Sequence, residues 1–214
     1  MEGILRHRAL DYSGILNGIN YDVWNPATDP ALPYNYDVNS FEKKKENQVA
    51  LQEEIGLEQD KNKKIISMIA RLDRQKGLDL VTEMLPLLLG KYPDTQVVIA
   101  GKVIEKKPVE WLSRIAEEYP GRLRLLTYYI EEELSHRIQG GSTIFLNPSV
   151  FEPCGLTQMY ACRYGTIPIV REVGGLKDSI QEFNPEAGTG NGFLVKEHTP
   201  GALLTATKRA LEVL

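Results

Sequence analysis

The sequence predicts an α/β fold built on a doubly wound parallel sheet. Three observations predict it. Short apolar runs rich in β-branched residues recur along the 214 residues, the stretches between them carry the spacing of amphipathic helices, and glycine, proline or charged residues punctuate the junctions. Apolar strands separated by helical crossovers belong to a parallel sheet covered on both faces. Right-handed crossovers then wind it in two directions, and ligands meet such sheets at the carboxyl ends of the strands.

Each element follows in order. Residues 12–17 read as a short strand. Residues 41–55 are charged, with Val49, Leu51 and Ile55 apolar, and read as a surface helix. Residues 64–70 (Lys-Ile-Ile-Ser-Met-Ile-Ala) form a compact strand. Residues 78–92 make a long amphipathic helix closed by Pro93. Residues 96–100 are a strand followed by Gly101, residues 109–118 a helix ending before Pro120, and residues 122–127 a strand. A short helix over 131–139 stops at Gly140-Gly141, and 143–147 is a strand. Residues 156–164 form a helix with Gly165 at its C-cap. Residues 166–170 are a strand, with Pro168 near its start. A helix over 176–182, a strand over 192–195 and a helix over 201–214 complete the chain. The lysines of 43–45 and the mixed charges of 58–64 read as a solvated helix face and loop.

Composition narrows the function classes. Lys and Arg total 25 against 29 Asp and Glu, so the net charge of -4 argues against a dedicated nucleic-acid binder. No apolar run approaches the ~20 residues of a membrane-spanning helix. The N-terminus lacks the apolar core of a signal peptide. The two cysteines, Cys154 and Cys162, make neither a disulfide framework nor a zinc motif, which points to a reducing, intracellular setting. No Gly-x-Gly-x-x-Gly follows the first strand and no P-loop is present, which weighs against a dinucleotide dehydrogenase and a P-loop NTPase.

Three loops at strand ends hold the candidate chemistry. After 64–70 comes Arg71-Leu72-Asp73-Arg74-Gln75-Lys76-Gly77. Arg71 ends the strand and Lys76 opens the helix, so the pair is either a phosphate clamp or an ordinary charged loop; Asp73 either caps the helix or holds Arg74. After 143–147 comes Pro148-Ser149-Val150-Phe151-Glu152-Pro153-Cys154-Gly155-Leu156-Thr157-Gln158. Glu152 lies where ligands meet the sheet, and the amides of Gly155, Leu156 and Thr157 open a helix and face an anion. A carboxylate beside an anion site makes sense when each takes a different part of one ligand, and a nucleotide sugar fits. After 166–170, Gly174-Gly175 either lets a ligand approach the backbone or makes a tight loop. Cys154 is more simply a packed turn residue than a nucleophile. His136 reads as a structural hydrogen-bonder, Trp24 and Trp111 as packing residues, and Asn17-Gly18 as a turn able to place an amide at the cleft.

Together these residues resemble the bacterial glycogen synthases and plant starch synthases. The resemblance runs over nearly the whole chain: Gly14-Ile15-Leu16-Asn17-Gly18-Ile19-Asn20-Tyr21-Asp22-Val23-Trp24-Asn25-Pro26, then Arg71 to Gly77, then Pro148 through Tyr160, Arg163 to Pro168, and Gly174-Gly175-Leu176-Lys177-Asp178. It is most specific in Phe-Glu-Pro-Cys-Gly-Leu-Thr-Gln. The resemblance implies the GT-B architecture, two Rossmann-like domains facing across a cleft, with residues 1–214 as the C-terminal nucleotide-sugar-binding domain. The family's N-terminal acceptor domain and C-terminal crossover helix are then expected to be missing, with Met1 an added start.

The implied activity is transfer of glucose from ADP-glucose to the non-reducing end of an α-1,4-glucan, with retention of configuration and without a metal or other cofactor. The implied partners are ADP-glucose or ADP, the glucan acceptor and the missing domain, with neither nucleic acid nor membrane, in a bacterial cytosol or, for a plant protein, a plastid. By the same resemblance Arg71, Lys76 and Glu152 are the catalytic residues: Arg71 and Lys76 bind the distal phosphate and offset charge on the departing ADP, and Glu152 binds glucose hydroxyls. Cys154, Gly155 and Leu156 give backbone contacts to sugar and phosphate, and Gly174 and Gly175 also bind the substrate; Thr157 reaches ribose or phosphate; Asn17 lies near the donor; and adenine stacks near Tyr129 or Ile130. Tyr160 stands where many related retaining transferases carry a second glutamate, as in this family. Only Gly101 represents the usual Gly-x-Gly after the third strand. The alternatives are another retaining GT-B transferase using UDP-glucose, and a non-catalytic nucleotide- or glucan-binding module.

Overall fold

Burial on both faces fixes the strands. In the computed structural model, which describes residues 2–11 and 13–214, β1 (Lys64–Ile69) alternates Ile66 and Met68 toward one face of a sheet with Ile65 toward the other. The remaining elements are α1 (Glu2–His7) and α2 (Lys44–Ile55) before β1. After it come α3 (Leu78–Lys91), β2 (Thr95–Ala100), α4 (Lys106–Glu118), β3 (Leu123–Leu126), α5 (Glu132–Gly141), β4 (Ile144–Asn147) and α6 (Thr157–Arg163). The chain continues through β5 (Ile167–Arg171), α7 (Gly174–Ser179), β6 (Phe193–Val195) and α8 (Pro200–Glu212). All neighbours pair in parallel, in the order β3-β2-β1-β4-β5-β6. The chain builds outward from β1 on one side and from β4 on the other. The strand order therefore reverses between β1 and β4, and that junction leaves a crevice at the carboxyl ends.

Helices α3, α4 and α8 cover one face through Leu78, Val81, Leu85, Leu88, Leu112 and Leu203. Each such side chain stabilises by about 1.5–3 kcal/mol when fully buried. Helices α2 and α5 cover the other face beside β1 and β2, and α7 covers it beside β5. Helix α8 starts cleanly because the Thr199 hydroxyl accepts from the Ala202 amide and Pro200 needs no donor there. The C-cap of α6 is Tyr164 rather than Gly165, and Gly165, at φ +64°, follows it as the left-handed residue that turns the chain away.

Several expectations change. The strand expected over 12–17 does not form: residues 13–17 carry no regular structure, and Tyr12, like Met1, lies outside the described residues. The segment that follows is tied down by aromatic packing, with Trp24, Leu32 and Tyr36 buried against Tyr164. Helix α5 runs through Gly140 and Gly141 because a Cβ there would press on Leu32 and Leu51, so both glycines serve close packing. Helix α7 starts two residues early, at Gly174, and ends at Ser179. Trp111 is 55% exposed, because Leu112 and Ile115 take the inward face of α4. Helix α2 is not a simple surface helix; its buried stripe is Lys44, Asn47, Gln48, Leu51, Gln52 and Ile55.

Candidate functional site

Two strand ends and the loops after them build the site. A cleft of about 460 Å³ opens at the reversal of strand order, floored by Met68, Ile69 and Ala70 from the end of β1 and by Leu146 and Asn147 from the end of β4. Lys76, Asn17 and residues 152–157 complete its lining.

The loop after β1 is fixed from within. Asp73 is buried and its carboxylate accepts from the Lys76 amide, capping a short 3-10 turn, Arg74–Lys76, that precedes α3. Arg74 pairs with Asp79 at 3.6 Å rather than with Asp73. Arg71 lies 3.5 Å from Asp73 and donates to the Gln75 side chain at 2.5 Å. Gln75 in turn donates to the Phe151 carbonyl, and its own carbonyl accepts from the Val150 amide. The cationic loop and the Glu152 loop are thereby stitched together.

The decisive contact is between them. The Lys76 ammonium lies 2.5 Å from a Glu152 carboxylate oxygen, with side-chain exposures of 20% and 14%. Both ends of this ion pair are largely withdrawn from water, so their attraction is screened less than it would be on an open surface. A lysine has three N–H donors and a carboxylate about four acceptor positions, so both keep capacity for a ligand. Beyond Glu152, among the described residues, the amides of Gly155, Leu156 and Thr157 have no acceptor. Cys154 Sγ accepts from the Asn17 amide at 3.3 Å, which draws the N-terminal segment over the cleft. Asn147 donates to the Thr157 hydroxyl at 3.4 Å and accepts from Ser149 at 2.7 Å. The arrangement offers one end fitted for an anion and one carboxylate fitted for hydroxyl groups.

The family description "Glycosyl transferases group 1" matches residues 52–213. The chain belongs to the group 1 glycosyl transferases. It is 46% identical over 213 residues to a glycogen synthase of Anaeromyxobacter dehalogenans, covering 100% of this chain and 44% of that protein. It is 44% identical over 211 residues to one of Thermotoga petrophila, covering 99% of this chain and 43% of that protein. A solved structure, the catalytic domain of starch synthase IV from Arabidopsis thaliana bound to ADP and acarbose, superposes with a TM-score of 0.88 at 35% identity, covering 99% of this chain and 43% of that one. The chain thus spans less than half the length of these relatives. The six-stranded parallel sheet is the Rossmann-like half of a GT-B transferase.

Within this glycosyl transferase, the structure gathers Asn17, Lys76, Glu152, Cys154, Gly155, Leu156 and Thr157 around one cleft. It places Arg71 beside the lining through Gln75, with its side chain 56% exposed. Gly174 and Gly175 do not line the cleft. A Cβ on Gly174 would stand 2.2 Å from the Glu152 carbonyl oxygen and one on Gly175 would stand 2.4 Å from Cys154 Cα, so the pair lets α7 press against the back of the 152–154 loop. Tyr129 is 77% exposed, and neither it nor Ile130 lines the cleft; Ile130 packs beside the apolar cluster under α2 and α5. The loop after Gly101 also stays away, because Lys102 and Ile104 bond to the backbone of Leu72.

Sequence reasoning missed the supporting roles of Gln158 and Asp29. Gln158 donates to the Cys154 and Gly155 carbonyls and to Ser179, fixing the loop to α7. Tyr160 stacks on Trp24 at 3.6 Å, and Trp24 on His136 at 3.9 Å. His136 bonds buried Asp29 at 2.8 Å, and Tyr164 donates to the same carboxylate. Burial by itself raises the Asp29 pKa, yet the His136 and Tyr164 hydrogen bonds bring it below the ordinary carboxylate value. His136 is thus the structural hydrogen-bonder its sequence suggested. Among the described residues no three His, Cys, Asp or Glu side chains gather as a metal site, and no helix is long and apolar enough to cross a membrane.

Proposed function

We propose that this chain is the donor-binding half, the C-terminal domain, of a glycogen or starch synthase that transfers glucose from ADP-glucose to the non-reducing end of an α-1,4-glucan. The observation that carries the proposal is the Lys76–Glu152 pair at the reversal of strand order, flanked by the open amides of 155–157. The ligands of the Arabidopsis relative, ADP and acarbose, support an adenine nucleotide and a glucan.

In this reading Glu152 accepts hydrogen bonds from glucose hydroxyls and orients the sugar. The remaining N–H groups of Lys76, the Arg71 guanidinium and the amides of 155–157 take the diphosphate. As the bond between the anomeric carbon and the phosphate oxygen breaks, its electron pair passes to ADP. Lys76 and Arg71 then meet charge where it develops, the work a metal ion would otherwise do. The Thr157 hydroxyl reaches phosphate or ribose. The exposed Tyr129 ring is free for the base to stack on. The acceptor glucan and its contacts belong to a separate N-terminal domain, and the bacterial relatives suggest a cytosolic setting.

Calorimetric titration of the chain with ADP and with UDP tests this. ADP is expected to bind with a clear preference. A preference for UDP would point instead to a different retaining transferase, and binding of neither would remove the donor-site assignment.

A further inference from the structure

The two lysine-bearing runs that read as solvated charge, 43–45 and 58–64, meet in space. They form the wall of a second cavity of about 590 Å³, at the amino ends of β1, β4 and β5, the opposite end of the sheet from the donor cleft. Lys45, Lys61 and Lys64 line it, and among the described residues none of their ammonium groups has a hydrogen bond or ion pair. Their neighbours are already engaged: Lys63 donates to the Pro93 carbonyl and lies 3.9 Å from Glu58, and Lys44 is buried among five oxygens. Glu42 is the one carboxylate among the lining side chains, and Leu214, which bears the terminal carboxylate of this 214-residue chain, also lines the cavity. Ser142 also lines the cavity; it is fully buried, and its hydroxyl has no partner.

Three ammonium groups without an ion pair outnumber the Glu42 and Leu214 terminal carboxylates on the same wall, so the concavity favours a further anion, and a buried hydroxyl without a partner is costly unless a ligand supplies one. Lysines act as movable point charges suited to a tetrahedral dianion, whereas planar carboxylates are matched by the arginine fork, which this cavity lacks. The volume is that of a small-molecule site and exceeds what a bare phosphate fills. We propose that this cavity binds the phosphomonoester of a small polar molecule, with the phosphate among Lys45, Lys61 and Lys64 and the Ser142 hydroxyl bonded to the ligand. The site is separate from the donor cleft and does not depend on the identity of the donor.

The test is calorimetric titration of the 214-residue chain with fructose 6-phosphate, with inorganic phosphate and fructose as comparisons. Saturable binding of the sugar phosphate is expected, unaffected by saturating ADP. It should weaken about tenfold for each ammonium removed in the Lys45→Gln/Lys61→Gln double variant; both side chains are exposed, so the fold stays intact. Ser142→Ala, checked for native circular dichroism, should weaken it severalfold. Undiminished binding in the double variant, competition by ADP, or no saturable binding of any probe at millimolar concentration would overturn the proposal. Inorganic phosphate binding as tightly as the sugar phosphate would overturn the organic part of the ligand.

Discussion

Lys76 and Glu152 hold each other at 2.5 Å, yet in the proposed reaction they serve different parts of the donor. That geometry separates the behaviour of their variants. Glu152→Gln removes a negative charge from beside Lys76 and keeps the side-chain shape. ADP should then bind as well as before or more tightly, while ADP-glucose loses its advantage over ADP. Lys76→Ala should weaken both by about 1.5–3 kcal/mol, the range for a hydrogen bond to a charged group. Titrating both ligands into both variants decides it, and parallel loss of ADP and ADP-glucose in Glu152→Gln would refute the sugar role. Lys44 is the second residue with a clear signature. Burial pushes its ammonium down to about 7 from 10.5, although three main-chain carbonyls and two hydroxyls surround it. Between these values the folded chain holds less of this proton than the unfolded chain, so this residue's contribution to stability rises as pH rises from about 7 toward 10.5, by up to ~1.4 kcal/mol per unit. Urea unfolding of wild type and Lys44→Met at pH 7 and pH 9 should show the difference shifting in favour of wild type. A difference that does not move with pH would mean the ammonium stays charged throughout.

At the scale of elements, α7 is defined by what its first turn must avoid. Gly175 donates its amide to the Glu152 carbonyl while its Cα lies against Cys154. Gly175→Ala would place a methyl against main chain, which cannot swing aside as a side-chain tip can. We expect a loss of about 1–3 kcal/mol in urea unfolding, together with weaker ADP binding because the 152–157 loop is displaced; unchanged stability would show that the loop gives way freely. The same contacts show why some of the site was legible and some was not. Glu152, Lys76 and Cys154 to Thr157 could be found because they follow apolar strands, and strand ends in a doubly wound sheet are where ligands sit. Gly174-Gly175 was expected at the substrate and instead packs against the 152–154 loop, because a pair of glycines reads alike whether a ligand or another loop comes close. Helix α2 was misread because its inward stripe has helical spacing but polar chemistry. Gln52 bonds Gln96 at 2.7 Å, Gln96 bonds the carbonyls of Glu58 and Gly121, and Gln48 bonds those of Asp60 and Lys63. A pattern search that weighs only apolar residues sees Leu51 and Ile55 and no more. The strand expected over 12–17 failed for the converse reason: the anchors of that segment, Trp24 and Tyr36, lie downstream and find Tyr164 by tertiary packing that spacing does not encode.

For the whole molecule, the question is how much of a transferase less than half the length of its relatives can do. Binding and turnover make different demands. The cleft proposed for the donor is lined entirely by this chain, with Lys76, Glu152 and the 155–157 amides positioned by its own sheet and stitched by Gln75 and Gln158. Donor binding should therefore survive in isolation. ADP at 100 times its dissociation constant would add about 2.7 kcal/mol to the stability of the folded state, which for a domain near this size raises the melting temperature by roughly 5–10 °C. Glucosyl transfer also requires an acceptor hydroxyl held in line with the anomeric carbon, and losing that alignment forfeits an effective concentration of on the order of 10⁵ M or more. With ADP-glucose and glycogen supplied, the 214-residue chain should show the ADP-induced thermal shift and transfer no measurable labelled glucose. Lys76→Ala should cut the shift by about half or more at the same ADP concentration, since removing one charged hydrogen bond raises the dissociation constant about tenfold or more. Transfer at a rate near that of a complete glycogen synthase would mean that this chain aligns the acceptor as well, and the division of labour between two domains would have to be abandoned.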